Sequence, residues 1–224
     1  MASAWIALAL SLKVALWATA IDLVLGIAIG FALARLRFPG RELVDSILLL
    51  PMVLPPTVLG YYLLVVVGRH GWLGAWLESR FDIRLIFTWQ GAVIAAAIVG
   101  FPFVCKSARA AFEAVDVQYE QAAKVLGLGA TAVFARVTLP LAWRGILAGV
   151  LLAFARALGE FGATLMVAGS IPGKTQTLSI AVYEAVQAGQ DDVANFLVAV
   201  TSVTCVAVLL AAGRLVPGRV AGAP

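Results

Sequence analysis

Charge is what this sequence has least of. Only 12% of its 224 residues are Asp, Glu, Lys or Arg, against roughly a quarter in a soluble domain. That deficit excludes an ordinary water-facing surface, and the net charge of +4 is not gathered into a nucleic-acid-binding face. Cysteine is scarce too. Cys105 and Cys205 form no C-x-x-C pair, which excludes a disulfide framework. The one histidine, His70, has no neighbouring cysteine and stands at poor ligand spacing from Glu78 and Asp82; it reads as a loop residue, and no metal site is expected. No serine or threonine has a histidine partner and the carboxylates are not clustered, so no catalytic constellation is present. Tandem repeats and low-complexity segments are absent as well.

What is there is apolar length. Alanine, the aliphatics, the aromatics, methionine and cysteine make up 62% of the chain, and a bilayer core of about 30 Å needs about 20 apolar residues per helix. Five runs meet that length: 14–34, interrupted by Asp22; 46–67, containing Pro51, Pro55 and Pro56; 86–105; 145–168, containing Arg156 and Glu160; and 193–212. The fold expected is all-α and polytopic, a single transmembrane domain over 1–224 with about five spans. Residues 2–12 are also apolar but cover only about 16 Å as a helix. They lengthen a tilted first span or lie along the interface, and a sixth span is possible but not favoured. No Lys or Arg precedes Lys13 and the run continues to Ala34, so it reads as a retained span rather than a cleaved signal.

Lys and Arg orient the set. Arg35, Arg37, Arg41, Lys106, Arg109, Lys124, Arg136, Arg144, Arg214 and Arg219 fall on one side, ten in all, against Arg69, Arg80, Arg84 and Lys174, four, on the other. The positive-inside rule places the ten in the cytoplasm, with the N-terminus outside and the C-terminus inside. The outer loop 68–85 holds Trp72, Trp76 and Phe81, with Trp89 just inside the next span, where aromatics suit the headgroup region.

The cytoplasmic loop 106–144 carries the most information. Asp116 can cap a helix whose first turn holds Glu120, a charge that suits the helix dipole. Glu120 and Lys124 stand at i,i+4 in the favourable order, and Ala122 and Ala123 offer a small, flat surface. Gly127 is a natural left-handed terminator. Residues 130–138 can form a second short helix, and Pro140 opens the run into the next span.

This loop resembles the EAA motif of the permeases of ATP-binding-cassette (ABC) importers, which reads E-A-A, three residues, G, nine residues, I-x-L-P. Gln121-Ala122-Ala123, Gly127, and Val137-Thr138-Leu139-Pro140 keep that spacing. The acidic residue is Glu120, one place early, with Gln121 in its slot, and Val137 replaces isoleucine. A likeness to the molybdate branch of these permeases runs over nearly the whole chain. It is carried by Ser11-Leu12-Lys13-Val14, Phe38-Pro39-Gly40, Leu50 to Pro56, Gly60-Tyr61, Val115-Asp116-Val117 and Ala153 to Thr164; sulfate-type permeases share much of the last stretch.

The resemblance implies an importer subunit in a bacterial inner membrane. Residues Glu120, Gln121, Ala122, Ala123, Gly127, Leu139 and Pro140 would couple it to an ATPase. It implies two copies of that ATPase, which carry the ATP and Mg2+, a second permease copy, and an extracytoplasmic binding protein that delivers a tetrahedral oxyanion. Molybdate is the first expectation, with sulfate, thiosulfate or tungstate as alternatives. A secondary transporter or channel would explain the spans but not the 121–140 spacing.

Candidates for the pore or its gate are Arg156, Glu160, Phe161, Thr164, Pro55 and Pro56. An Arg at a span centre costs about 2.5–3.5 kcal/mol and a Glu a comparable amount, against about ten strong apolar residues worth roughly 0.3–0.6 kcal/mol each. The fourth span is near break-even, so Arg156 and Glu160 are expected to pair on one face and look into the bundle or the pore. The prolines of the second span remove backbone donors, which lipid tolerates only where the backbone is buried in protein or lines water. Gly169 to Thr175 imitates a phosphate-binding loop, but with three residues between its glycines instead of four and no preceding strand. Nucleotide binding there is not expected.

Overall fold

The computed structural model describes residues 2–215, and Arg219, counted above, lies outside them. The described chain is helical throughout: α1 (Ala2–Arg35), α2 (Arg41–Val53), α3 (Pro56–Val67), α4 (Trp72–Phe81), α5 (Trp89–Glu113), α6 (Val117–Val125), α7 (Ala130–Val133), a π turn (Phe134–Thr138), α8 (Leu139–Leu158), α9 (Gly162–Ala168), α10 (Leu178–Gln187) and α11 (Asp191–Leu215). Helices α1, α5, α11 and the continuous Ala130–Leu158 segment are each long and apolar enough to cross a bilayer, and the bent α2–α3 pair brings the total to five. Residues 2–12 extend α1 without a break. Its 34 residues reach about 51 Å at 1.5 Å each, so they make one long helix and no sixth span.

The bundle is built around α5. Of its most apolar window 67% is buried, against 11% for α11. Helix α1 lies along it, with Val14, Ala15 and Ala18 packed on Ala92, Val93 and Ala96. The approach is close because the facing residues are small. A Cβ on Gly26 would come within 2.7 Å of a Val104 methyl, and one on Gly30 within 3.0 Å of the Cys105 carbonyl. In a bilayer, where lipid is as apolar as leucine, such small-residue seams let dispersion hold helices together. Thr88 opens α5, its Oγ1 accepting from Gly91 N at 3.2 Å and donating to the Leu85 carbonyl at 2.7 Å. Just after it, Trp89 carries Lys13 Nζ 3.6 Å above its ring, a cation–π contact. The start of α1 meets α10 and α11 through Ala4, Ala7, Leu178 and Leu197.

Two spans are broken. Helices α2 and α3 meet at 113°. Leu54 and Pro55 are extended, with ψ of 140° and 138°, because each precedes a proline and is steered out of the α region. Pro56 then starts α3, where a missing N–H costs nothing. The run 145–168, expected as one span, also divides. Helix α8 stops at Leu158 and α9 starts at Gly162. The Glu160 carboxylate takes the Ala163 N–H at 2.9 Å, so the second segment gets its own capped start in place of a continuing ladder.

The loop helices hold a second correction. Residues 130–138 are no separate helix: they pass through a π turn into α8 as one rod of 29 residues. Proline at position 140 cannot donate and its ring crowds the carbonyl four residues back. The ladder widens just before it, with Leu139 N donating to Phe134 O. The loops 68–85 and 169–192 contain α4 and α10 respectively. Trp72, Trp76 and Phe81 of α4 are exposed, as an interfacial anchor requires. The 169–175 segment is a turn that buries Thr175, whose hydroxyl accepts from Ile171 N at 3.0 Å; it opens no cradle. Among the described residues no cluster of three metal-ligating side chains occurs.

Candidate functional site

The α6 region is assembled from its backbone upward. Asp116 Oδ1 accepts from Gln118 N at 2.9 Å and starts the helix. Gly127, at φ +88°, ends it. Leu128 N donates to Ala123 O at 3.1 Å and Gly127 N to Lys124 O at 2.9 Å, the paired bonds of a Schellman motif. Of the two alanines, Ala122 faces outward and Ala123 inward. Val117, Tyr119, Val125 and Leu126 are exposed, the last two more than 80%, beside exposed Gln121 and Lys124. This apolar surface on a loop helix has no cover among the described residues.

Glu120 does not pair with Lys124. Its Oε1 accepts from Arg35 Nη2 at 2.5 Å and from Thr138 Oγ1 at 2.9 Å, and the carboxylate is largely covered. Partners from the end of α1 and from the π turn outcompete a solvated neighbour one turn away, because their charge-assisted bonds form in a partly dry setting. Arg35 and Thr138 are therefore site residues that the sequence did not announce. The basic run after α1 hints at the first; Thr138 inside an apolar pattern gives no signal. Glu120 is a stitch that ties α6 to α1 and to the α7–α8 rod, of which Leu139 and Pro140 form the shoulder. Replacing Glu120 with Ala should remove hydrogen bonds worth about 1.5–3 kcal/mol and speed amide exchange across α6. Unchanged protection of α6 in hydrogen exchange would refute the stitch.

The second assembly joins the two breaks. Gly162, at the start of α9, lies so close to α3 that a Cβ there would stand 2.8 Å from Pro56 Cβ. The start of α9, flanked by Phe161 and Thr164, thus lies against the start of α3 at Pro56. Phe161 stacks obliquely on Tyr183 of α10 with centroids 5.0 Å apart, and Thr164 is buried with its hydroxyl unpartnered. Arg156 Nη1 lies 2.8 Å from Glu160 Oε2, without the alignment of a hydrogen bond. The pair forms as expected but across the break. Arg156 sits in the last turn of α8 and Glu160 just before the first of α9, so each charge also suits a helix end. One further intramembrane carboxyl, Asp22, is 1% exposed with Oδ2 unpartnered, against Gly100.

A family model described as "Binding-protein-dependent transport system inner membrane component" matches residues 24–221. The chain belongs to that family. Members are inner-membrane transport components, so this permease sits in the inner membrane. It is 50% identical over 183 residues to the molybdenum transport system permease protein ModB of Escherichia coli K12, covering 82% of this chain and 80% of that protein. It is 45% identical over 181 residues to ModB of Haemophilus influenzae, covering 81% and 79%. The sulfate transport system permease protein CysW of Synechococcus elongatus is 43% identical over 179 residues, covering 80% of this chain and 62% of that one. Two solved structures share the fold. One is an amino acid ABC transporter with histidines (TM-score 0.67, 21% identity, 96% of this chain and 92% of that one). The other is the MetNI methionine ABC transporter in inward facing conformations (0.68, 16%, 96% and 93%).

Proposed function

We propose that this permease imports molybdate, as one of two copies that enclose a pathway at their interface. The observation that carries the substrate is the 50% identity to a molybdenum transport permease over four-fifths of both chains. An extracytoplasmic binding protein delivers the oxyanion, and two ATPase subunits hold the ATP and Mg2+ and supply the energy. The chain itself contributes no hydrolytic group.

The exposed face of α6, with Val125 and Leu126 at its end, is the surface that docks on the ATPase. Apolar side chains this exposed outside the spans need a partner. Motion of α6 has a mechanical route inward. Glu120 fastens it to the foot of the Ala130–Leu158 rod, about 43 Å long at 1.5 Å per residue, and the far end of that rod is the break beside Arg156 and Glu160. Movement of the foot therefore shifts α9 against Pro55 and Pro56 of the other broken span. Irregular backbone at membrane depth lines a water-filled path or packs in protein, which supports this junction as a wall or gate of the pathway. The mechanism follows as alternating access: the ATPases close, the two rods move, and the junction opens to the other side.

The test is uptake by proteoliposomes holding the permease, candidate ATPase subunits and a binding protein. ATP-driven accumulation of molybdate with little accumulation of sulfate is expected. Sulfate is the second reading, favoured by the 43% identity to CysW, and sulfate accumulation alone would replace the first. Uptake without any ATPase would overturn both.

A further inference from the structure

The end of the bundle that carries α6 also holds an opening of about 590 Å3 between the α1–α2 turn and α5, with Arg37, Phe38, Arg41, Glu42 and Arg109 in its wall. Its charges are unequally engaged. Arg109 is paired with both Asp45 at 2.9 Å and Glu113 at 2.9 Å. Arg41 reaches Glu113 through Nη2 at 2.7 Å, but its Nε is buried with no partner. Exposed Arg37 makes no ion pair among the described residues, and neither does Glu42. Lys106 lies 2.7 Å from Asp45. Counting Arg37, Arg41, Lys106 and Arg109 against Glu42, Asp45 and Glu113 leaves +1. Helix α2 also opens here, capped by Gly40 with no side-chain acceptor for its first N–H groups, so its positive dipole end adds to the field.

Helix α2 has no buried residue. It is held to α5 chiefly by those ion pairs, while Leu43, Ile47 and Leu50, about one turn apart, form an exposed apolar row leading away from the opening. A small free oxyanion would answer the guanidiniums and leave the row bare. A soluble protein would not follow a row that runs into a membrane span. A molecule with an anionic head and a hydrocarbon tail matches both features, and basic pockets between spans take phospholipid head groups.

We propose that this opening binds the phosphodiester of an anionic phospholipid, whose acyl chain lies on Leu43, Ile47 and Leu50 and completes the packing of α2.

The permease–ATPase complex would be purified from bilayers containing equal phosphatidylglycerol and phosphatidylcholine, washed in detergent, and its retained lipid measured by mass spectrometry. Phosphatidylglycerol should be retained over phosphatidylcholine. Arg37→Gln should cut that preference about fivefold, the equivalent of roughly 1 kcal/mol for one surface cation. Ile47→Ser, which changes no charge, should lower retention as well. Equal retention of the two lipids by the wild type would overturn the proposal. So would displacement of the lipid by millimolar inorganic phosphate, which marks a free-anion site. Disulfide cross-linking of two copies through Ile47→Cys in phosphatidylcholine alone would overturn it too, because a second copy would then cover the row.

Discussion

Arg156→Leu should lower stability by about 3 kcal/mol, the lower end of the range for stranding one member of a buried pair. The lower end applies because Arg156 is about a third exposed while Glu160 is 1% exposed. The loss does not come from the pair's attraction alone. Without Arg156, Glu160 is a carboxylate at membrane depth whose remaining partner is the Ala163 N–H. The double variant Arg156→Leu/Glu160→Gln should regain most of the loss, since a Gln carbonyl still accepts from Ala163 and no charge remains to solvate. Thermal midpoints of the three detergent-purified proteins decide it. If the single variant matches wild type, Glu160 is solvated by something other than Arg156. If the double variant is as weak as the single, the damage is lost packing of the Arg stem rather than a stranded charge. Uptake by the recovered double variant then tests whether the pair acts in transport apart from its role in stability.

What the sequence disclosed and what it hid follow one physical division. Features set by a residue's own backbone were legible. Gly127 reads as a left-handed terminator because little else adopts φ +88° without cost. Asp116 reads as a cap, and Pro55-Pro56 reads as an interruption whose 113° size alone was not foreseeable. Span number was legible because apolar length is a bulk property. Features set by partners far away in the chain were not. Glu120 meets Arg35 across 85 positions, whereas the sequence offered Lys124 one turn on. Pairs from Arg41 to Glu113 and from Asp45 to Lys106 and Arg109 join α2 to α5, and only the Arg109–Glu113 pair, at i,i+4 within α5, follows a local pattern. The break at Gly159 was hidden because hydropathy is indifferent to it. Residues 145–168 are apolar on both sides, a lone glycine is ordinary in a membrane helix, and the decisive bond, from Ala163 N to Glu160, exists only after the chain has turned. The same limit applies to Asp22, legible as an interruption of α1 but not as a carboxyl set against Gly100 on α5.

The last expected result concerns the turn after α6. Gly127→Val should leave insertion and spans intact while reducing ATP-driven uptake about tenfold or more. The reason is backbone geometry rather than crowding, since nothing lies within 4 Å of a Cβ placed there. A left-handed conformation costs an ordinary L-residue roughly 1–2 kcal/mol, and a β-branched side chain is a worse occupant still. The chain escapes that cost by unwinding the turn, which breaks the bonds from Gly127 to Lys124 and from Leu128 to Ala123 and swings Val125 and Leu126 out of their common surface. About 1.4 kcal/mol against the docked geometry is already tenfold. Gly127→Asn provides the control. Asn adds a side chain of similar bulk but tolerates the left-handed region, so it should keep most of the uptake. Equal uptake by the Val variant and wild type would mean that the left-handed turn plays no part in coupling. Equal loss by Asn and Val would mean that the ATPase surface presses on Gly127 itself, so that the missing side chain and not the permitted φ is what the loop requires.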